Sequence, residues 1–331
     1  MKKIGFILII PLMCALLTSC SETKEQKTIY AMNTVVTLTA YGENAKNGID
    51  KAEDEIYRLD ALMSRSGKRG DIYTLNSTGY GTVSSETASV INTALDVCRS
   101  TDGAFDITVT PLMDAWGFFG QNHRVPDIEE ISQLLQRVDY KNVLLDGSSV
   151  TLNGGAQIDL GGIAKGYASG VVSDTLIANG VTSGLISFGS AIQAIGTKPD
   201  GSEWKIGLAN PQDSDDYIAT IALSDECIAT SGSYEQVFEE DGHIYHHIID
   251  PKTGYPAMYG LASVSIISDD PARADALATA LFVMGFGKAV EYQKEHNDFE
   301  AIFIDSENKI YYTAGMTGKI SVLEGYETEI C

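Results

Sequence analysis

The chain has 331 residues, 44% of them hydrophobic and 21% charged, enough apolar material for one large domain or two ordinary ones with a packed core. Asp and Glu outnumber Lys and Arg by 45 to 23, a formal charge of −22 at pH 7. That balance excludes nucleic acid as a partner, because a phosphate backbone calls for clustered cations, but leaves room for a small phosphate-bearing ligand held by a local cation or metal.

The N-terminus comes first. Met1-Lys2-Lys3 precedes an apolar run from Ile4 to Leu17, too short for the roughly 20 residues of a membrane span and suited to a secretory signal. It ends Leu17-Thr18-Ser19-Cys20, which resembles the lipobox of bacterial lipoproteins. That resemblance implies residues 1–19 as a signal peptide, cleavage before Cys20 and lipidation of its thiol. The protein would then be anchored to a bacterial membrane by lipid alone, facing the periplasm or the cell exterior. Residues 20–29 read as a polar tether and residues 30–331 as one globular unit. Cys98, Cys227 and Cys331 remain, with no CxxC spacing, so neither a disulfide framework nor a zinc site is expected. The apolar surroundings of Cys98 and Cys227 mark them as core.

Alternation predicts a strand over Thr34–Tyr41, with Val36, Leu38 and Ala40 on one face. Ile49, Ala52, Ile56, Leu59 and Met63 recur at helical spacing. Further helices are expected over about Ser85–Cys98 and Ile128–Val138, and a hairpin about Asp146-Gly147 within Tyr140–Leu152. Gly103–Thr108 reads as a loop leading to an apolar aromatic segment that ends at Phe118. Ile158 leads through Gly161-Gly162 into a helix from about Ile163 to Asn179, stopped by Gly180. Strands follow at Gly184–Ile195, Trp204–Leu208, Ile218–Leu223, Cys227–Ser231 and Leu261–Ile267. A helix then runs over about Pro271–Met284, with Pro at its start and Gly285 at its end. Ile302–Asp305 and Ile310–Thr313 close the sheet. Without regular βαβ alternation the class is α+β, with largely antiparallel sheets and packed helices in a single bilobal domain.

Three segments carry chemistry. In Asp159–Gly166 a strand meets two glycines and a helix start, where backbone N–H groups and Lys165 favour an anion. Asp275 and Thr279, one turn apart on the last long helix, offer hard oxygen ligands on one face, suited to Mg²⁺ or Ca²⁺. His243–Pro256 contains three of the five histidines. His246 and His247 are adjacent on a strand and point to opposite faces, so one of them can meet a ligand as acid or base. Phe105 or Trp116 would stack on a flat ring or join the core.

Taken in order, Met32-Asn33-Thr34, the Gly103–Asp106 loop with Pro111-Leu112 and Trp116-Gly117-Phe118, Asp159–Gly166, Ala229–Tyr234, His247–Gly254 with Pro256, and Ala274-Asp275 with Thr279 resemble the ApbE family, the FAD:protein FMN transferases. The resemblance runs from about Met32 to Gly285. It implies FAD bound in a cleft, its diphosphate bridged by Mg²⁺, with Ca²⁺ the other candidate. The enzyme would cleave the diphosphate, release AMP and attach FMN through a phosphoester to a Thr or Ser of a partner. Such partners are flavoprotein subunits of membrane redox complexes. By matching positions, Asp275, Thr279 and the carbonyl of Gly162 would hold the metal. Met32, Ala104, Phe105, Asp106, Asp159, Lys165 and the main chain of Ile249 would border the nucleotide. His247 is the candidate for proton transfer or attack at phosphorus, and Lys165 for stabilising the charge that builds on phosphoryl oxygens.

The chain departs from that pattern at three places. It has Gly189-Ser190-Ala191 where many members carry Gly-Gly followed by Asn or Asp. Ser66 stands where many have a Tyr near the flavin or adenine, and Ala278 where some have a second-ligand Asp. The alternatives are a metal-dependent FAD pyrophosphatase releasing FMN and AMP to water, and a lipid-anchored flavin-binding protein without turnover.

Overall fold

The structure, a computed structural model, describes residues 23–120 and 122–331. It opens with the antiparallel hairpin β1 (Lys24–Ala31) and β2 (Thr34–Tyr41). Met32 and Asn33 at its tip have φ of 49° and 61°, the left-handed pair that matches a two-residue turn to the twist of its strands. Val36, Leu38 and Ala40 point inward and are fully buried. The expected tether is corrected here, because from Lys24 onward it is strand, paired residue by residue with β2. An edge strand with a solvent face carries Lys, Glu and Gln, which hid it. The signal segment and Cys20 lie outside the described residues.

Helix α1 (Ala45–Met63) buries the apolar face its spacing predicts, and is followed by α2 (Asp71–Thr78) and β3 (Tyr80–Thr82). Ser84 caps α3 (Ser85–Ser100), its hydroxyl accepting from the Thr87 N–H. Part of the expected aromatic segment is a short helix, α4 (Thr110–Trp116), with Pro111 in its first turn. Helix α5 (Ile128–Leu135) stops short of Val138, because the N–H groups of Arg137 and Val138 reach only three residues back, to Leu134 and Leu135. Strands β4 (Val143–Asp146) and β5 (Ser149–Leu152) form the expected hairpin, and α6 spans Ala164–Ala178. The stretch from Gly184 to Ile195 is two strands, β6 (Ser183–Phe188) and β7 (Ala191–Ile195), turning at Gly189-Ser190. Both arms are apolar, so no polar cluster announced the turn.

Strands β8 (Trp204–Asn210) and β9 (Asp213–Leu223) pair antiparallel; β9 starts well before Ile218, in an exposed acidic stretch. Next come β10 (Cys227–Gly232), β11 (Val237–Glu240), β12 (His243–His246) and β13 (Leu261–Ser268). Helix α7 (Pro271–Met284) ends at Gly285, and α8 (Phe286–Glu295) starts at once. The chain closes with β14 (Glu300–Asp305), β15 (Ile310–Tyr312), β16 (Ile320–Val322) and β17 (Thr328–Ile330).

One sheet carries nine strands in the order β1-β2-β6-β7-β10-β13-β14-β15-β17, antiparallel at every junction except β15–β17. Side chains alternate across it. Cys227, Ala229, Val264, Ile266 and Phe303 face the helices, forming the main core. Ile228, Ile267, Ile302 and Ile304 face the other way and pack on Trp204, Ile206, Leu208 and Ile221 of the small sheet β16-β9-β8. A third cluster gathers around Trp116. The fold is therefore α+β with largely antiparallel sheets and cores on both faces of the main one.

Helices α6 and α7 cross at Gly166. A Cβ there would overlap the Pro271 carbonyl and sit 2.7 Å from Asp275 Cβ. Replacing Gly166 by Val should therefore lower the unfolding free energy by about 3 kcal/mol. Gly287→Ala, in exposed α8 with open space around it, should instead raise it by up to about 1 kcal/mol. Urea unfolding of both variants checks the pair; a Gly166→Val protein as stable as the parent contradicts the close crossing.

Candidate active site

The main cleft, 920 Å³ in volume, opens where the sheet's central strands meet α6 and α7. All twelve residues singled out above for metal, nucleotide or proton transfer border it, Cys20 lying outside the described residues. They arrive from the β1–β2 turn, the loop after α1, the loops before α4 and α6, the segment after β12, and α7.

Its floor is the contact between α6 and α7. Asp275 is 3% exposed, and its Oδ2 accepts the Gly166 N–H at 2.9 Å. A carboxylate from one helix thus sits at the positive end of the other. Among the described residues its second oxygen takes no hydrogen bond and no basic group lies within salt-bridge distance. One turn on, Thr279 Oγ1 lies 3.0 Å from Ser231 Oγ. The Gly162 backbone runs past it, since a Cβ on Gly162 would come 3.7 Å from Thr279 Oγ1 and 2.9 Å from the Phe105 ring. Only glycine allows that approach.

A buried carboxylate with a helix end as its sole compensation, beside a hydroxyl and a main-chain carbonyl, is a hard-oxygen set that fits Mg²⁺ or Ca²⁺. Among the described residues no three His, Cys, Asp or Glu side chains cluster to hold a metal. Ala278 is fully buried in the main core and offers nothing to the cleft.

The double-glycine corner differs from the expected anion cradle. Asp159 Oδ1 accepts the Gly161 N–H at 2.7 Å, Leu160 O accepts those of Ile163 and Ala164, and Asp275 takes that of Gly166. Among the described residues the N–H groups of Leu160, Gly162 and Lys165 take no hydrogen-bond partner there. The Lys165 ammonium donates to the Gly161 carbonyl at 3.1 Å. Burial pushes the Asp159 carboxyl up, against the Gly161 hydrogen bond and the charges of Arg65 and Lys165.

The two histidines divide as their alternation predicts. His246 is buried, its Nε2 3.1 Å from the Ala257 carbonyl and its Nδ1 accepting the Ile248 N–H. It is a neutral structural ring. His247 turns to the cleft with Nδ1 3.1 Å from the Glu235 carbonyl. A carbonyl only accepts, so Nδ1 carries the proton and Nε2 keeps its lone pair. Burial brings the imidazole down to about 4, with the charge of Lys165 adding to the fall and the Glu235 hydrogen bond opposing it. At neutral pH His247 is a free base.

Other expectations are corrected. The Asp106 carboxylate is fully engaged with the Thr108 N–H and hydroxyl and the Tyr140 N–H, at 2.6–2.8 Å. It holds its own loop while bordering the cleft. Phe105 is 5% exposed and packs on Gly162, leaving no open face to stack on a ring. Trp116 is fully buried among Phe118, Phe238, Tyr245 and Tyr255, its indole donating to the Gly254 carbonyl at 2.8 Å. Ile249 is buried in the same cluster and leaves its main chain to the cleft. Ser66 and Met32 sit at the rim.

Three cleft residues escaped the sequence reading. Arg65 pairs bidentately with Asp114 at 2.8–2.9 Å, its guanidinium 3.8 Å above the Phe119 ring. Three cations within five residues, Arg65, Lys68 and Arg69, in so acidic a chain were an available signal. Glu235, whose carboxyl is raised by burial and by Asp275 against Lys165, follows a polar turn, and Ser231 lies at the end of strand β10 within the Ala229–Tyr234 segment, with no spacing to mark either side chain.

His247 also couples stability to pH. Its folded value, about 4, lies below the ordinary 6.5, so the unfolded chain binds the proton more readily and stability falls as pH drops from about 6.5 to 4. His247→Asn, which keeps a donor toward Glu235, should lose less stability over that window. Urea unfolding at pH 7 and pH 4.5 measures it, and equal losses in both proteins contradict the burial of a neutral ring.

A family-level sequence profile for the ApbE family matches residues 32–303. An FAD:protein FMN transferase from Klebsiella pneumoniae (strain 342) is 33% identical over 255 residues, 76% of this chain and 79% of its own. The crystal structure of the ApbE protein of Thermotoga maritima superposes with a TM-score of 0.84 at 33% identity, over 90% of this chain and 99% of that one. The apo flavinyl transferase ApbE of Pseudomonas stutzeri superposes at 0.78 and 28% identity, over 92% and 95%. With the profile covering most of its length and these likenesses in both sequence and fold, the chain belongs to the ApbE family.

Proposed function

We propose that this transferase acts on FAD and a protein. It cleaves the FAD diphosphate, attaches FMN through a phosphoester to a Thr or Ser hydroxyl of an acceptor flavoprotein subunit of a membrane redox complex, and releases AMP. The observation that carries the reading is the meeting, in one cleft, of the buried Asp275 carboxylate, which no basic group pairs among the described residues, with Thr279, the free-base Nε2 of His247 and the Lys165 ammonium.

Asp275, Thr279 and the Gly162 carbonyl would hold a divalent cation, Mg²⁺ or Ca²⁺, which neutralises phosphoryl charge and makes the leaving AMP a better leaving group. The chain's own residues supply the rest. His247 Nε2 accepts the proton of the acceptor hydroxyl as its oxygen attacks the phosphorus of the FMN half. The new P–O bond forms as the bond to the AMP phosphate breaks. Lys165 and the free N–H groups of Gly162 and Lys165 face the charge that grows on the phosphoryl oxygens. Glu235, through its carbonyl, keeps His247 in the tautomer the step needs. Nucleotide binding by so acidic a chain depends on this local positive charge.

We propose also that Cys20 carries the lipid anchor, which the Leu17-Thr18-Ser19-Cys20 sequence supports and which suits a membrane-bound acceptor. A Cys20→Ser protein should then leave the membrane fraction for the soluble one, as immunoblotting of the fractions reads out.

The deciding experiment incubates the protein with FAD and Mg²⁺, with and without the purified acceptor subunit, and weighs the acceptor by mass spectrometry. The expected result is the added mass of FMN with an equal amount of AMP. Free FMN and AMP with an unlabelled acceptor would identify a pyrophosphatase instead; tight FAD without AMP would identify a binding protein. Asp275→Ala and removal of metal by EDTA should each lower transfer at least about 100-fold, and His247→Ala by about 10²–10⁴-fold. Full transfer by Asp275→Ala with EDTA present removes the metal from the account.

A further inference from the structure

A second opening, a groove of 280 Å³, runs into the cleft from the side of the small sheet. Strand β8 forms one wall. It pairs with β9 only, and is therefore an edge strand of the β16-β9-β8 sheet. Among the described residues, no main-chain hydrogen bond joins it to any segment other than β9. Four consecutive residues of β8, Ile206, Gly207, Leu208 and Ala209, border the groove. Neighbouring side chains on a strand point to opposite faces. Four in a row can therefore line a groove only where it follows the strand's edge, past its outward N–H and C=O groups.

The opposite wall comes from the main sheet, with Ile192 on β7 and Ile228 and Thr230 on β10. The groove is continuous with the cleft, for Gly189, Ser190, Thr230 and Glu235 border both. Its inner end is chemically placed. The Thr230 N–H donates to the Ser190 carbonyl at 2.9 Å, and the next residue, Ser231, bonds Thr279. Glu235 at the same end supplies the carbonyl that orients His247.

We infer that this groove seats the acceptor. An extended segment of the acceptor protein adds to the free edge of β8 as an extra strand, and so brings its Thr or Ser hydroxyl into the cleft beside His247 and Thr279. The inference rests on the transferase reading above and adds to it how the protein substrate is held. Main-chain pairing with β8 supplies affinity whatever the side chains, as strand addition does elsewhere. Ile206 and Leu208 on one wall and Ile192 and Ile228 on the other select small and apolar side chains beside the reactive hydroxyl. FAD, entering by the wide mouth of the cleft, does not compete for this path.

The test uses the acceptor subunit that the unaltered protein labels with FMN, and a twelve-residue synthetic peptide spanning its labelled residue. Ile192→Phe and Ile192→Trp fill the groove from a half-buried position on β7, outside the cleft. Both variants should bind FAD, by flavin fluorescence, within twofold of the parent, while KM for the acceptor rises at least tenfold. In the intact protein, N-methylating alternate residues of the peptide in one phase should raise KM at least tenfold, and in the other phase leave it within twofold, because only every second amide faces β8. Unchanged KM for both variants and for both methylated peptides overturns the inference while leaving the transferase reading in place. An unaltered protein that releases AMP yet labels no acceptor overturns the transferase reading itself, and the groove's role with it.

Discussion

A carboxylate on one helix closes the first turn of another, and the site is arranged around that contact. Asp275 reaches the Gly166 N–H because Gly166 lets α7 pass against α6 with no side chain between them. The hydrogen bond fixes the two helices in register and leaves a buried negative charge that a helix end offsets only in part. Everything nearby answers that charge. Thr279 stands one turn on, with the Gly162 backbone passing it, Lys165 is the residue before Gly166 in the first turn of α6, and the Glu235 carboxyl is driven toward its neutral form by burial and by Asp275. On the function proposed above, a carboxylate so placed would let an acidic protein hold an anionic dinucleotide through a shared cation.

The second constraint is the direction of a strand. His246 and His247 are neighbours in sequence with opposite duties, one locked between the Ala257 carbonyl and the Ile248 N–H, the other aimed into the cleft with its proton pinned on Nδ1. The tautomer is set by a main-chain carbonyl and not by a carboxylate, so the ring stays uncharged as well as oriented. Lys165, which lowers the imidazole further, keeps it in the form that accepts a proton.

The sequence made part of this legible. Helical spacing gave α1 and α3 and the flanking Pro271 and Gly285 gave α7 within a few residues, alternation gave β2 and the opposed histidines, and the ordered segments gathered the residues that border one cleft. What escaped did so for physical reasons. The strand β1 is polar because one of its faces is wet, β9 begins in an acidic run for the same reason, and the turn at Gly189-Ser190 lies between two apolar arms. Arg65, Ser231 and Glu235 acquire their places only through tertiary contacts, and the engagement of Asp106 with Thr108 and Tyr140 spans 34 residues at its longest. The corner at Gly161-Gly162 read as a full phosphate cradle because local sequence cannot show that Asp159 and Asp275 have already taken the Gly161 and Gly166 donors.

The most direct test of the central claim is anomalous diffraction from crystals grown with FAD and Mn²⁺ in place of Mg²⁺. The account predicts one strong anomalous peak bounded by the Asp275 carboxylate, Thr279 Oγ1 and the Gly162 carbonyl, in contact with the FAD diphosphate. FAD bound in the cleft with no manganese at Asp275 would contradict it.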